Sequence, residues 1–302
     1  MSHQNASIKS IIFALSANLG IAITKTIAAI FTGSGSMLAE SIHSFADCGN
    51  QGLLFLGLRT AKKDPDEEHP LGYGKATYFW SFIVALMLFS MGGLFSVYEG
   101  IHKLNAEEEM SKPLIAIIVL IVSMALEGAS LFGCVKQINT IRKDESIWSW
   151  LKNTRQSELV VVFGEDVAAL FGLLFAIISV VLAVITGNPV FDAIGSIGIG
   201  VLLIVVSLFV AIKVKGLLIG QSADENKRDE IKSFLESRDE IEEVLNIITL
   251  QLGSQIMLTV KAKMSETESA KILIENINDC EKELKATFPD VKWIFFEPDD
   301  KD

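Results

Sequence analysis

His43 and Asp47 stand four residues apart in the apolar stretch Ala39-Glu40-Ser41-Ile42-His43-Ser44-Phe45-Ala46-Asp47. On a helix that spacing puts both side chains on one face, where an imidazole nitrogen and a carboxylate oxygen can share one cation. A mixed nitrogen and oxygen pair suits zinc, cobalt, iron or manganese better than calcium or magnesium. Glu40 and Asn50 extend the same stripe in three-residue steps. The blander reading is that His43 and Asp47 bond each other and pin helices together. A second polar cluster argues against it: Glu165-Asp166 stands inside Val162-Phe163-Gly164-Glu165-Asp166-Val167-Ala168-Ala169. A charge inside hydrocarbon is costly, so carboxylates in such runs mark function first. Glu165 becomes a loop residue if that helix starts late. Glu127, in Ser123-Met124-Ala125-Leu126-Glu127-Gly128, is open to three roles: metal ligand, proton relay, or a bond to a neighbouring helix.

Other polar or small residues carry weaker signals. Asp192 follows Pro189 and reads as a helix cap or an interfacial contact. Lys25 reads as a side chain that snorkels to the membrane surface. Cys48 and Cys134 read as small packing residues. Gly92-Gly93 and the set Gly195, Gly198 and Gly200 let helices approach closely. His3 and His102 read as exposed bystanders.

These residues need apolar helices to hold them. A bilayer core takes roughly 20 apolar residues as helix. Segments of that kind are Ser10–Phe31, Met37–Leu58, Tyr78–Glu99, Pro113–Val135, Leu159–Thr186 and Val190–Val214. Turn signals such as Thr32-Gly33-Ser34-Gly35-Ser36 and Gly187-Asn188-Pro189 separate some of them. The expectation is a six-helix transmembrane region over residues 1–218. Arg59, Lys62, Lys63 and Lys75 lie between the second and third segments, and Arg142, Lys143, Lys152 and Arg155 between the fourth and fifth. Lys213 and Lys215 close the sixth, whereas the other side has only Lys103 and Lys112. The positive-inside rule then puts both termini in the cytoplasm.

Residues 219–302 read differently. The last 80 residues carry 20 acidic and 11 basic side chains, which leaves the preceding chain nearly neutral within a total of −11. Asp224–Glu240 patterns as an amphipathic helix, Val244–Leu252 and Gln255–Met264 as strands around a Gly253-Ser254 turn, Glu268–Phe288 as a helix and Val291–Glu297 as a strand. Helix–strand–strand–helix–strand predicts a small, ferredoxin-like α+β domain. The fold class is therefore an α-helical membrane protein with six transmembrane helices and a cytoplasmic α+β domain.

Composition removes several alternatives. Half of the residues are hydrophobic, which is too many for an ordinary soluble protein. No clustered basic surface exists for nucleic acid. The three cysteines form neither a CxxC pair nor a disulfide framework. The start, MSHQNASIKSIIF, lacks the charged region and cleavage site of a signal peptide and any transit peptide, which points to a retained first helix and a bacterial inner membrane.

The stretch from Gly35 to Asp47 resembles the second-helix signature of the cation diffusion facilitator family, and His69-Pro70-Leu71-Gly72-Tyr73-Gly74 resembles its second-to-third-loop signature. The resemblance covers essentially the whole chain. Glu165-Asp166, Glu127-Gly128 and Gly187-Asn188-Pro189 are most similar to the branch that contains animal mitochondrial zinc exporters. The resemblance implies a homodimer in the lipid bilayer that exchanges a divalent metal for protons by alternating access, with the soluble domain as dimerisation module. It also implies a four-ligand site, two from the second helix and two from the fifth. His43, Asp47 and Asp166 match three of these positions. The fourth is Val162, which cannot ligate. Glu165 lies about −60° around the helix from it and can replace it, as can Glu127 or a water. The family's loop site would use Asp66, His69 and the position held here by Tyr73. Its tail site commonly uses histidines, and all four of this chain's histidines precede residue 103. Metal in the tail would therefore need carboxylates such as Glu297, Asp299, Asp300 and Asp302, which otherwise form a solvated end.

The resulting expectation is export of a divalent transition metal, zinc first, with Mn2+ or Fe2+ as alternatives because the site is rich in carboxylates. Metal binding displaces a proton, in this reading from His43, whose unperturbed pKa is about 6.5. The protein needs no catalytic cofactor and is not an enzyme, since no HExxH or nucleophile motif occurs. A non-transporting membrane metal sensor and a passive channel are the remaining alternatives.

Overall fold

The computed structural model describes residues 18–104, 113–142 and 145–301. Four of its helices are long and apolar enough to cross a bilayer: α3 (Ala76–Leu104), α4 (Pro113–Ile141), α6 (Ser157–Thr186) and α7 (Val190–Ile219). Two more belong with them in sequence. The first, α1 (Asn18–Thr32), is shorter within the described residues, because the start of the expected Ser10–Phe31 segment lies outside them. The second, α2 (Gly35–Ala61), has 27 residues but carries serines, His43, Asn50 and two carboxylates, so its mean apolarity is lower. His3, Glu107, Glu108, Glu109, Lys112 and Lys143 also lie outside the described residues. The short helix α5 (Ile147–Asn153), capped by the Ser146 side chain on Ser149 N–H, interrupts the fourth-to-fifth connection and was not expected.

Glycines set the breaks. Gly33 (φ 65°) and Gly187 (φ 64°) hold left-handed backbone after α1 and α6, and Pro189 precedes α7. Close crossings also need glycine. A Cβ on Gly93 would come within 2.6 Å of the Ile204 side chain, and one on Gly200 within 2.7 Å of the Gly93 carbonyl oxygen, so α3 and α7 meet backbone to backbone. Around Gly92-Gly93, α3 widens into a π-helical segment, Leu88–Leu94. Such widened turns often sit beside functional side chains. Leu88, Leu120, Ala168, Leu173, Ile199 and Leu203 form the buried core between helices. Ile118, Ile121 and Phe132 of α4 stay exposed, as a lipid-facing surface requires.

The chain divides into two compact units. One holds the chain up to Leu56 with 80–145 and 158–213; the other holds 57–79, 146–157 and 214–302. The second contains α8 (Glu225–Glu236), β1 (Ile241–Leu252), β2 (Gln255–Met264), α9 (Ala270–Thr287) and β3 (Val291–Pro298). This is the helix–strand–strand–helix–strand order expected from the sequence, in a three-stranded sheet of order β1-β2-β3. The first pair is antiparallel across the Gly253 turn and the second parallel. Ile256, Leu258, Val260 and Ala262 alternate onto one face of β2 and pack with Ile231, Leu235 and Leu284. Cys280 is sealed in that core, and burial pushes its thiol up to about 11, so it packs rather than reacts.

Candidate metal site

The α2 entry is built first. Asp192 of α7 accepts from Ser34 Oγ at 2.7 Å and from the Gly35 and Ser36 backbone N–H groups at 2.6 and 3.3 Å. Asp192 is thus a cap, supplied by another helix to the N-terminus of α2. A side chain added at Gly35 would also run into Lys103, within 2.6 Å.

From that anchored start, α2 carries its polar stripe inward. His43 is 1% exposed and Nδ1 lies 3.5 Å from Asp47 Oδ1, without a hydrogen bond between them. Neither nitrogen of His43 has a partner, and the same holds for Asp47 Oδ1, Asn50 Oδ1 and Asp166 Oδ2. Glu165 and Asp166 both lie on α6, well inside the helix that begins at Ser157. Glu165 Oε1 accepts from Asn50 Nδ2 at 2.5 Å, and Asp166 Oδ1 from Ser130 Oγ at 3.1 Å.

Asp47, Glu165 and Asp166 converge on one cavity of about 50 Å³. Asp47, Glu127, Glu165 and Asp166 line it, together with Ser44 and Ser130. Val162, the position without a ligand, is on the same wall. His43 adjoins Asp47 but does not line the cavity; a Cβ on Gly92 would lie 3.9 Å from its Nδ1. Among the described residues, no three His, Cys, Asp or Glu side chains stand close enough together to enclose an ion. Four carboxylates thus line the cavity wall, with one oxygen each of Asp47 and Asp166 left unbonded.

Sequence reasoning missed several wall residues. Ser44 and Gln51 bracket Asp47 at three and four residues, and Ser130 follows Glu127 by three, so helical spacing from each carboxylate finds them. Lys25 corrects an expectation. Its side chain does not snorkel: it is 0% exposed, with Nζ 3.3 Å from Glu40 Oε2 and 2.8 Å from Ser44 Oγ. A buried carboxylate and hydroxyl within reach outweigh the pull of the interface.

The second unit shows the loop signature closed on itself. Tyr73 donates its hydroxyl to Asp66 Oδ2 at 2.6 Å, and His69 N–H donates to Asp66 Oδ1 at 2.7 Å. The Tyr73 hydroxyl, followed by the His69 amide, holds the Asp66 carboxyl below the usual carboxylate range. At the chain's acidic end Asp299 pairs with Lys261 at 3.0 Å, and Asp302 lies outside the described residues.

A family model described as the cation efflux transmembrane domain matches residues 11–219. The mitochondrial proton-coupled zinc antiporter SLC30A9 of Mus musculus is 34% identical over 231 residues, 76% of this chain and 41% of its own. Metal tolerance protein C4 of Arabidopsis thaliana is 34% identical over 206 residues, 68% of this chain and 45% of its own. Magnetosome protein MamB of Paramagnetospirillum magneticum is 26% identical over 193 residues, 63% of this chain and 59% of its own. The chain therefore spans less than half the length of the first two relatives. The matched residues hold every carboxylate of the cavity wall, and the chain belongs to the cation efflux family, the cation diffusion facilitators, a family of multi-pass membrane transporters.

Proposed function

We propose that the chain is a divalent transition-metal exporter that exchanges its cargo for protons by alternating access, with zinc as the leading cargo. One observation carries this reading: Asp47, Glu127, Glu165 and Asp166 line a single small cavity between helices, with buried carboxylate oxygens unbonded. A group that ligates a metal must first be deprotonated, so the same oxygens that bind the ion take up protons when it leaves. In this reading Asp47 and Asp166 are ligands, His43 swings in from its place beside Asp47, and Glu165 or Glu127 substitutes for the absent donor at Val162. Closure of the helices around the ion completes the coordination. Six helices span the membrane within residues 1–218, both termini are cytoplasmic, and residues 219–302 pair two copies. A bacterial inner membrane fits a chain of this organisation. The zinc antiporters among its relatives support zinc as cargo.

A second reading keeps the mechanism and changes the cargo to Mn2+ or Fe2+. The cavity wall presents only oxygen donors, while the single imidazole stands off it. Oxygen-rich sites favour the harder ions.

The test is flux in proteoliposomes with an internal pH dye, metal by metal. Asp47→Ala is expected to abolish metal-dependent proton movement. Undiminished flux in that variant overturns the site, and flux that neither saturates nor needs a proton gradient replaces the exporter with a channel.

A further inference from the structure

Asn50 stands on the polar stripe of α2, three residues past Asp47, and is 0% exposed. Its amide nitrogen donates to Glu165 Oε1 of α6 at 2.5 Å, while its own Oδ1 is unbonded. An ionised carboxylate only accepts, so the contact fixes which way the amide faces. As a mere pin between helices this is a poor choice, because a buried amide oxygen without a partner costs about 1–3 kcal/mol. The contact has a second effect, on Glu165 itself. One carboxylate oxygen is engaged, which leaves the other to meet an ion. Asp166, the next residue, is held in the same way: Ser130 Oγ donates to Oδ1 at 3.1 Å, and Oδ2 is unbonded. Both α6 carboxylates thus reach the cavity wall with one oxygen already in use. A carboxylate that gives one oxygen counts once in a coordination shell, and one that gives both counts twice. Zinc is satisfied by four donors in a tetrahedron, whereas manganese suits an octahedron of oxygens.

We propose that Asn50 is a positioning residue for the cavity: it holds Glu165 toward α2 by one oxygen, so that the ion meets few donors and Zn2+ is selected over Mn2+. This rests on the cavity as the transport site, and adds what decides the cargo. Val162 supplies no ligand, and Glu165 stands three residues along α6 from it on the same wall. Without a partner on α2, a side chain as long as glutamate has rotamers that turn away from the wall and others that grip an ion with both oxygens. Asn50 removes that choice. An all-oxygen wall, which by donor type alone favours the harder ion, is thereby kept at a donor count that suits zinc.

The experiment is the affinity of the full chain in nanodiscs for Zn2+ and for Mn2+, each read by calorimetry. Asn50→Ala is expected to lower Zn2+ affinity on the order of tenfold, the lower end of what a lost outer-shell partner costs. Mn2+ affinity is expected to hold or rise, so the preference for Zn2+ shrinks by at least about that factor. The same substitution in a Glu165→Ala background is expected to change neither affinity further, because Asn50 acts through Glu165. A structural pin predicts another pattern: both affinities fall together, with or without Glu165. That pattern, or an unchanged ratio of the two affinities in Asn50→Ala, overturns the proposal. Asp47→Ala is run beside them. Wild-type protein that binds neither ion, or Asp47→Ala that binds both as well as the wild type, sinks the cavity reading and this proposal with it. Loss of binding in Asp47→Ala with an unchanged ratio in Asn50→Ala overturns this proposal alone. Where Asn50→Ala does not fold, Asn50→Ser, whose shorter polar group stands further from Glu165, is read in its place with the same expectation.

Discussion

The helices around the cavity and the loop-and-tail unit treat their polar groups in opposite ways. Among the described residues, seven buried side-chain atoms lack a hydrogen-bond partner, and six of them belong to Glu40, His43, Asp47, Asn50 and Asp166. The seventh is Arg238 Nε, whose guanidinium still holds Glu240 at 2.9 Å. Among the described residues of the second unit, no other buried side-chain polar atom lacks a partner. Asp66 is bonded by Tyr73 and His69, and Tyr78 accepts from Gly253 N–H at 2.9 Å. Leaving a buried polar atom unbonded costs about 1–3 kcal/mol. A fold that satisfies its loops yet leaves polar atoms of α2 and α6 unsatisfied is consistent with the proposed binding of something that arrives from outside. In the proposed reading, the difference separates groups that bind a mobile ion from groups that hold the chain in place.

The strongest way to break this contrast is at Glu165. It is a cavity carboxylate of α6 bonded to α2 through Asn50, and it stands three residues from Val162. Glu165→Gln keeps the shape and removes the charge. Zn2+ affinity, read by calorimetry, is expected to fall by at least the roughly 10–100-fold typical of a lost outer-shell partner. Glu127→Gln is the paired control. If Glu127→Gln carries the loss and Glu165→Gln does not, the replacement for the Val162 ligand lies on α4 instead of α6.

Much of this was legible in the sequence because the signals are local. The His43-xxx-Asp47 spacing, the Glu165-Asp166 pair and the turn at Gly187-Asn188-Pro189 each depend on neighbours a few residues away. The tail's element order was readable for the same reason, since period-two and helical patterns switch cleanly around Gly253. The misses are long-range. The end of Lys25's side chain depends on Glu40 and Ser44, 15 and 19 residues on, which no spacing rule links to a lysine on another helix. The wall placement of Val162 and Glu127 depends on how α4 and α6 face each other. Helix ends were also set too short: α7 runs on to Ile219, because hydropathy marks where lipid ends and hydrogen bonding marks where the helix ends.

A smaller effect is expected where the second unit holds its own pieces together. Gly74 and Gly253 meet backbone to backbone: a Cβ on Gly253 would lie 2.7 Å from the Gly74 carbonyl oxygen, and one on Gly74 would overlap the Leu252 carbonyl. Gly74→Ala is expected to cost on the order of 1–3 kcal/mol, the usual range for overpacking against atoms that cannot move aside. Hydrogen exchange at residues 251–256 is expected to rise, with Zn2+ stoichiometry unchanged. A lost metal ion in this variant would erase the division between holding and binding.

The mildest test asks whether Asp66 belongs wholly to the holding class. Its carboxyl is depressed first by the Tyr73 hydroxyl and then by the His69 amide. A depressed carboxylate stabilises the folded loop above its unfolded pKa, and that contribution fades as pH falls through the lower folded value. Tyr73→Phe removes the larger cause, so the Asp66 titration followed by NMR is expected to move up toward the ordinary carboxylate range. The acid-side loss of loop order is then expected to begin at higher pH. The same variant frees one carboxylate oxygen next to His69, whose Nδ1 lies 3.5 Å from the other. If the loop of Tyr73→Phe takes up Zn2+ and the wild-type loop does not, one hydroxyl keeps the ion out. If it stays empty, Asp66 is a structural residue whatever its partner, because an exposed carboxylate and one imidazole hold too little charge and too few donors to strip water from the ion.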